Sequence, residues 1–153
     1  MSETDDNGSG DLTMDDDAID EFLRERGDGV LSFAREGAGY GVPISFGYDG
    51  DRLFVHLVRF GAESEKLAFA DASERVCLTT YATETRFEWK SVLVRGTLSP
   101  VPDEDVEYME AVMDRNAWKP RLPDEDVESV RRMELLIDET TGRRSESRFT
   151  RDR

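Results

Sequence analysis

Residues Tyr40 to Val101 form a block of strand-like segments with one helix among them, and that block decides what the chain can fold into. It runs YGVPISFGYDGDRLFVHL, then a loop and short helix carrying GAESEKLAF, then ERVCLTTY, then FEWKSVLVRGTLSPV. Upstream, GVLSFAR (29–35) is apolar and ends at the glycine-rich turn EGAG. Asp49-Gly50-Asp51 is a hairpin turn signal between apolar runs. Residues 29–58 therefore read as a three-stranded antiparallel meander. The segments 75–81 and 86–101 add two more strands, with Gly96 marking a bend or bulge in the second. No βαβ alternation appears, so a parallel sheet is not expected. A small closed barrel is, because closure removes exposed edges.

Helices flank the strands. Ile19, Phe22, Leu23 and Arg26 lie at helical spacing, with acids ahead of them, Gly27 after them, and Thr13 and Asp16 as a capping-box-like start. PDEDVE occurs at 102–107 and again at 123–128. Proline followed by acids suits a helix start, and the first copy opens a helix with Val106, Met109 and Met113 on one face. Residues 116–123 read as a loop. A last strand and turn is expected over 133–146, although 124–137 also has helical features. The expected organisation is a disordered acidic tail (1–12), one domain (13–147) and a frayed end (148–153). The expected class is mainly β with helices (α+β): about five or six antiparallel strands in a barrel.

Composition narrows the function classes. The 153 residues suffice for one core. The chain carries 35 acidic and 20 basic residues, a net charge of −15, which opposes binding to nucleic acid or anionic membrane. Only Lys66, Lys90 and Lys119 are lysines. Acid-rich, lysine-poor sequences resemble those of halophilic organisms such as haloarchaea, whose molar cytoplasmic salt cuts the Debye length to about 3 Å. Hydrophobic residues make up 37%, low for a monomer core, so a buried partner surface would help. Cys77 is the sole cysteine, which excludes an intrachain disulfide and fits a reducing cytoplasm. No apolar run approaches the roughly 18 residues of a membrane span, and the polar start is unlike a signal peptide. A cytoplasmic protein is expected.

His56 is the only histidine. A zinc site or a Ser-His-Asp triad would lean on a histidine inside the apolar strand FVHLV, without supporting spacing or a GxSxG elbow. His56 is either a satisfied strand histidine or a polar group lining a ligand cleft. Lys66 follows GAES in the first turns of a helix, where free N–H groups favour phosphate; Ser64 would add a hydroxyl. Lys66 would equally serve as the partner of an acid one turn away. The glycine cluster at 37–41 joins two strands and lacks the context of a phosphate cradle. Trp89 and Trp118 are packing or interface anchors, or stack on a ligand. The acidic runs at 15–17 and 103–107 lack the alternating ligands of a calcium loop.

Taken in order, VPISF, DGD, LFVHL, SEKL, VCLTTY and WKSVLVRGTLSPV resemble the pyridoxamine 5′-phosphate oxidase-like, FMN-binding split β-barrel superfamily. Phe54–His56, Lys66, Val76–Leu78, Ser91–Gly96 and the ending IDETTGRRS (137–145) are similar to its branch of nitroimidazole resistance proteins. The resemblance covers about residues 15–147. It implies a six-stranded antiparallel split barrel, homodimeric, with two FMN molecules at the subunit interface. It places Val42, Pro43, Ile44 and Ser45 along the flavin ring, and Val55, His56 and Leu57 at the facing strand end. Ser64 and Lys66 would meet the phosphate, and Trp89 and Ser91 of the second subunit would close the ring site. Ser91 stands where the oxidase proper carries a glutamine. Glu65 stands where it carries a phosphate-binding arginine, which weakens the phosphate site unless Arg59 substitutes. The loop from His56 to Lys66 is longer than the oxidase's, and the oxidase's C-terminal substrate-binding arginine and histidine motif is absent, so pyridoxamine phosphate oxidation is not expected. The resemblance implies an FMN-dependent oxidoreductase acting on a small molecule, with His56 the one candidate catalytic residue. The alternative is a binding or sensor module that holds flavin, haem or deazaflavin without turnover, or a dimer with an empty cleft. No metal site is expected.

Overall fold

A computed structural model describes residues 12–59, 75–116 and 129–145. The tail, the segment with Ser64, Glu65 and Lys66, the tryptophan at 118 and the C-terminal end lie outside the described residues. Six antiparallel strands close into a barrel in the order β1-β2-β3-β6-β5-β4. They are β1 (Asp28–Arg35), β2 (Ala38–Tyr48), β3 (Leu53–Arg59), β4 (Val76–Thr85), β5 (Glu88–Pro100) and β6 (Ser129–Arg144). Helix α1 (Asp16–Glu25) precedes β1, and a short 3₁₀ turn (Asp103–Asp105) leads into α2 (Val106–Asn116). The expected meander and both later strands are present, β4 running four residues further than its apolar segment. The segment 129–137 is strand rather than helix: β6 is 16 residues long because it pairs with β3 over its first seven residues (129–135) and with β5 from Met133 to Arg144.

Side chains alternate across each strand, and the inward set makes the core. Leu31, Phe46, Leu53, Val55, Leu57, Leu78, Val92 and Val94 are fully buried there. Helix α1 closes the barrel with Ile19, Phe22 and Leu23. Its cap differs from the sequence expectation. Asp15, not Thr13, caps the helix by accepting from the Ala18 N–H at 2.8 Å. Thr13 instead makes a β-bridge to Arg143. Helix α2 lies outside the barrel, burying Met109, Val112 and Met113 with Phe54. It can approach because Gly47 has no side chain: a Cβ there would sit 3.0 Å from the Met113 Cα.

Arg52 fastens this outer layer. Its guanidinium pairs bidentately with Glu134 (2.8 and 3.1 Å), reaches Asp105 (3.2 Å) and lies 4.9 Å over the Phe54 ring. The turn before it is built on Asp49, whose Oδ1 accepts from the N–H groups of Asp51 (2.8 Å) and Arg52 (2.6 Å). Gly50 completes the turn at φ 101°, a conformation that costs a Cβ-bearing residue about 1–2 kcal/mol. Gly50→Ala is expected to lower stability by about that much, measured as a reduced urea midpoint with unchanged slope. Among the described residues, no helix is long and apolar enough to cross a membrane.

Candidate functional site: the split between β2 and β3

Two seams of the barrel wall, β1–β4 and β2–β3, are only three rungs long, and the second parts at the segments of interest. β2 pairs with β3 only through Phe46↔Val55, Gly47↔Phe54 and Tyr48↔Leu53. Beyond those rungs β2 continues to Ala38 paired with β1, while β3 continues to Arg59 paired with β6. Continuing the register would set Ser45 opposite His56 and Ile44 opposite Leu57, so the two segments that the sequence singled out flank this opening. The direction of the main chain follows from one bond. The Phe46 N–H donates to the Gly27 carbonyl on the β1 side at 2.9 Å. Successive residues of an antiparallel strand point their polar groups to opposite neighbours. Ser45 N–H and Pro43 C=O therefore point toward the split, past the last β2–β3 rung at Phe46↔Val55. This also explains the proline: lacking an N–H, it is tolerated where a ladder has no partner to receive one.

The candidate residues divide by face. Val42 packs partly against the core, and Ile44, Val55 and Leu57 are buried in it. Their side chains point inward, leaving only main chain for the split. Pro43 is exposed, and Ser45 and His56 are half-buried on the outer side. Trp89 and Ser91 lie on β5, opposite Thr83 and Tyr81 of β4. In the cyclic order β5 stands across the barrel from β2, so one chain does not bring these two residues to the split. Ser64 and Lys66 are outside the described residues.

His56 is held by residues that the sequence did not point to. Its Nε2 lies 3.0 Å from Glu110 Oε2, and Arg132 Nε donates to the same oxygen at 2.7 Å. Glu110 rides on the edge of α2 beside the buried Met109; Arg132 is the β6 partner of His56. They are 54 and 76 residues from His56 in the chain; the packing of α2 brings Glu110 to it and the β3–β6 pairing brings Arg132. Burial pushes the Glu110 carboxyl up, but the hydrogen bonds from Arg132 and His56 outweigh it and hold it below the usual carboxylate range. Asp49 is likewise pushed up by burial and brought lower by its bonds from Arg52, Tyr108 and Asp51. A carboxylate depressed in the folded state stabilises above its unfolded pKa, and the contribution is lost as pH falls through the folded value. Stability is therefore expected to hold from neutral pH down to about 4 and to decline below it, with the decline weakened in Glu110→Gln. Thermal melts across acid pH check this.

The barrel's outer face carries one further pattern. Pro43, Val30, Thr79, Leu93 and Thr141 form a continuous rung across five strands. Gly41, Ser32 and Cys77 line the next rung, and Tyr81 and Ser91 lie beyond Thr79 and Leu93. None is charged. Val30 is 37% and Tyr81 59% exposed.

The family model described as pyridoxamine 5′-phosphate oxidase matches residues 15–144. The chain belongs to the pyridoxamine 5′-phosphate oxidase family. Solved structures agree with the six-stranded split-barrel fold of this family member. An FAD-binding protein from Mesorhizobium loti superposes with a TM-score of 0.68 at 21% identity, over 88% of this chain and 97% of that one. A candidate 5-nitroimidazole antibiotic resistance protein from Bacteroides thetaiotaomicron gives 0.63 at 23% identity, over 86% of each chain. An FAD-binding protein from Mycobacterium smegmatis gives 0.63 at 17% identity, over 88% of this chain and 98% of that one. At these identities the likeness establishes the fold. No curated protein matches the sequence.

Proposed function

We propose that the protein is a homodimeric flavoprotein that binds FMN in the β2–β3 split and works as an oxidoreductase on a small molecule. The observation that carries this is the main-chain edge that the Ser45 N–H and the Pro43 C=O turn toward the split, past the last β2–β3 rung. A planar heterocycle with donors and acceptors on its rim satisfies such an edge, as a strand would. Membership of the oxidase family and the FAD-binding neighbours support flavin as that heterocycle.

The second support is the uncharged rung on the outer face. In a chain that is 36% charged, a rung of five neutral residues spanning β2, β1, β4, β5 and β6 is the surface a second copy would cover. Two protomers joined there would bring Trp89 and Ser91 of one toward the split of the other, which one chain cannot do alone. Bound flavin supplies the hydride and electron chemistry. The chain's own residues hold and shield it. Ser45 and Pro43 offer main-chain hydrogen bonds to the ring edge, the buried Val55 and Leu57 keep the strand end rigid, and Lys66 with Ser64 neutralises the phosphate. His56, oriented by Glu110, is the imidazole beside the split, placed to exchange a proton with a bound ligand. Its working place is a cytoplasm of high salt, consistent with the net charge of −15.

Protein purified in molar salt is expected to take up one FMN per protomer, with quenched flavin fluorescence, and to elute as a dimer. Reduction of that flavin by NADH or NADPH, followed by reoxidation by an added acceptor, separates an oxidoreductase from a binding module. Absence of uptake removes both.

A further inference from the structure

A second cleft lies on the other side of β2 from the split, where the C-terminal ends of α1 and α2 meet. Its volume is about 390 Å³, and Arg24, Glu25, Arg26, Gly27, Asp28, Arg115 and Asn116 line it. Three arginines and two acidic residues line it, the reverse of the balance in a chain with 35 acidic and 20 basic residues.

The three arginines are not equivalent. Arg26 is engaged: Nη2 pairs with Asp28 at 3.3 Å and Nε donates to Thr80 Oγ1 at 3.3 Å. Arg24 and Arg115 have no ion pair with any described carboxylate. Cations at a helix C-terminus ordinarily serve the last carbonyls, but here that work is done otherwise. Asn116 Nδ2 donates to the carbonyls of Arg24 (3.4 Å) and Tyr48 (2.8 Å), and Asn116 Oδ1 accepts from the Tyr48 N–H at 3.3 Å. The Arg26 N–H donates to the Phe22 carbonyl at 3.0 Å. The Arg24 guanidinium has a set position, packed on Gly50 in the β2–β3 turn where a side chain would displace it. One guanidinium set against Gly50, and one with no ion pair among the described residues, thus belong to an open cleft where the Phe22 and Arg24 carbonyls at the end of α1 already have donors.

We propose that this cleft is a binding site for a phosphate-monoester oxyanion, held by Arg24 and Arg115, with the fixed Arg26–Asp28 pair as its floor. Guanidinium forks match the oxygen geometry of phosphate and remain charged at every physiological pH. Glu25 is the one lining acid without an ion pair among the described residues, and its charge limits affinity. The ligand is either free phosphate or the phosphoryl group of a larger molecule. The site is independent of flavin binding in the split.

The test uses the full chain in chloride of constant ionic strength, titrated with inorganic phosphate and then with a sugar phosphate. Amide NMR signals of Gly27 and Asn116 are followed. Saturating shifts confined to the cleft are expected. Arg24→Gln with Arg115→Gln should weaken phosphate binding at least about tenfold, and Glu25→Gln should tighten it. Circular dichroism of each variant confirms the fold, and the milder Arg24→Lys with Arg115→Lys retains weak binding if the double glutamine variant is unstable. A tighter sugar phosphate identifies the larger molecule as the source; equal affinity identifies free phosphate. Shifts that never saturate, that spread over the acidic surface, or that persist unchanged in the double variant overturn the proposal.

Discussion

Gly96→Val is expected to destabilise the barrel by about 3 kcal/mol or more, the upper end of what forced overpacking costs. Gly96 sits at the register shift where β5 and β6 are out of step, Arg95 pairing with Glu139 and Gly96 with Ile137. There the strands come so close that a Cβ at Gly96 would overlap the carbonyl oxygen of Leu136 and lie 2.8 Å from its carbonyl carbon. The obstacle is backbone, which cannot rotate away as a side chain can. The valine must therefore break the β5–β6 ladder, the seam that runs eleven rungs from Lys90↔Arg144 to Pro100↔Met133. Gly96→Ala should show most of the loss, because the first carbon is what clashes. A valine at Gly39, exposed on β2, is the control and should change stability little. Urea unfolding of the three variants measures the difference; equal midpoints for Gly96→Val and the control would show that the bulge tolerates a side chain.

Lys66→Ala is expected to weaken FMN binding roughly 10- to 100-fold while leaving riboflavin binding unchanged. A charge-assisted hydrogen bond to phosphate is worth about 1.5–3 kcal/mol, which converts to that range. Riboflavin lacks the phosphate, so the ratio of the two affinities isolates the lysine's role from any effect on the fold or the ring site. Glu65→Arg should act in the opposite direction, restoring a cation beside the phosphate. Salt dependence adds a check: the wild-type preference for FMN over riboflavin should shrink as chloride rises, and the Lys66→Ala protein should lack that trend. An unchanged FMN-to-riboflavin ratio in Lys66→Ala would place the phosphate elsewhere.

Much of the fold was legible because it rests on local signals. The apolar strands separated by EGAG and Asp49-Gly50-Asp51, and the Met109–Met113 face of α2, each carry their own pattern. Gly96 marked its bulge because a glycine within a long apolar strand has few other reasons to be there. The N-cap was misplaced because Thr13, Asp15 and Asp16 are all capping residues, and the tertiary bridge from Thr13 to Arg143 decides among them. The start of β6 was ambiguous because 129–137 borrows its conformation from two neighbouring strands.

The site was legible only in part. The segments Val42–Ser45 and Val55–Leu57 do flank one opening, but which side chains face it depends on register. That placed Ile44, Val55 and Leu57 in the core and left Pro43, Ser45 and His56 outside. Glu110 and Arg132 carried no signal, since their meeting with His56 needs α2 docked over Gly47 and β6 paired with β3. The arginine cleft was invisible for the same reason, being assembled from the ends of two helices 90 residues apart.

The account rests on the β2–β3 split being a flavin site, and equilibrium titration of the refolded, cofactor-free protein with FMN in molar salt tests it most directly. It predicts saturable quenching of flavin fluorescence at one FMN per protomer, abolished when Ser45→Trp fills the split. Flavin fluorescence that stays unquenched, or quenching that Ser45→Trp leaves intact, would contradict it.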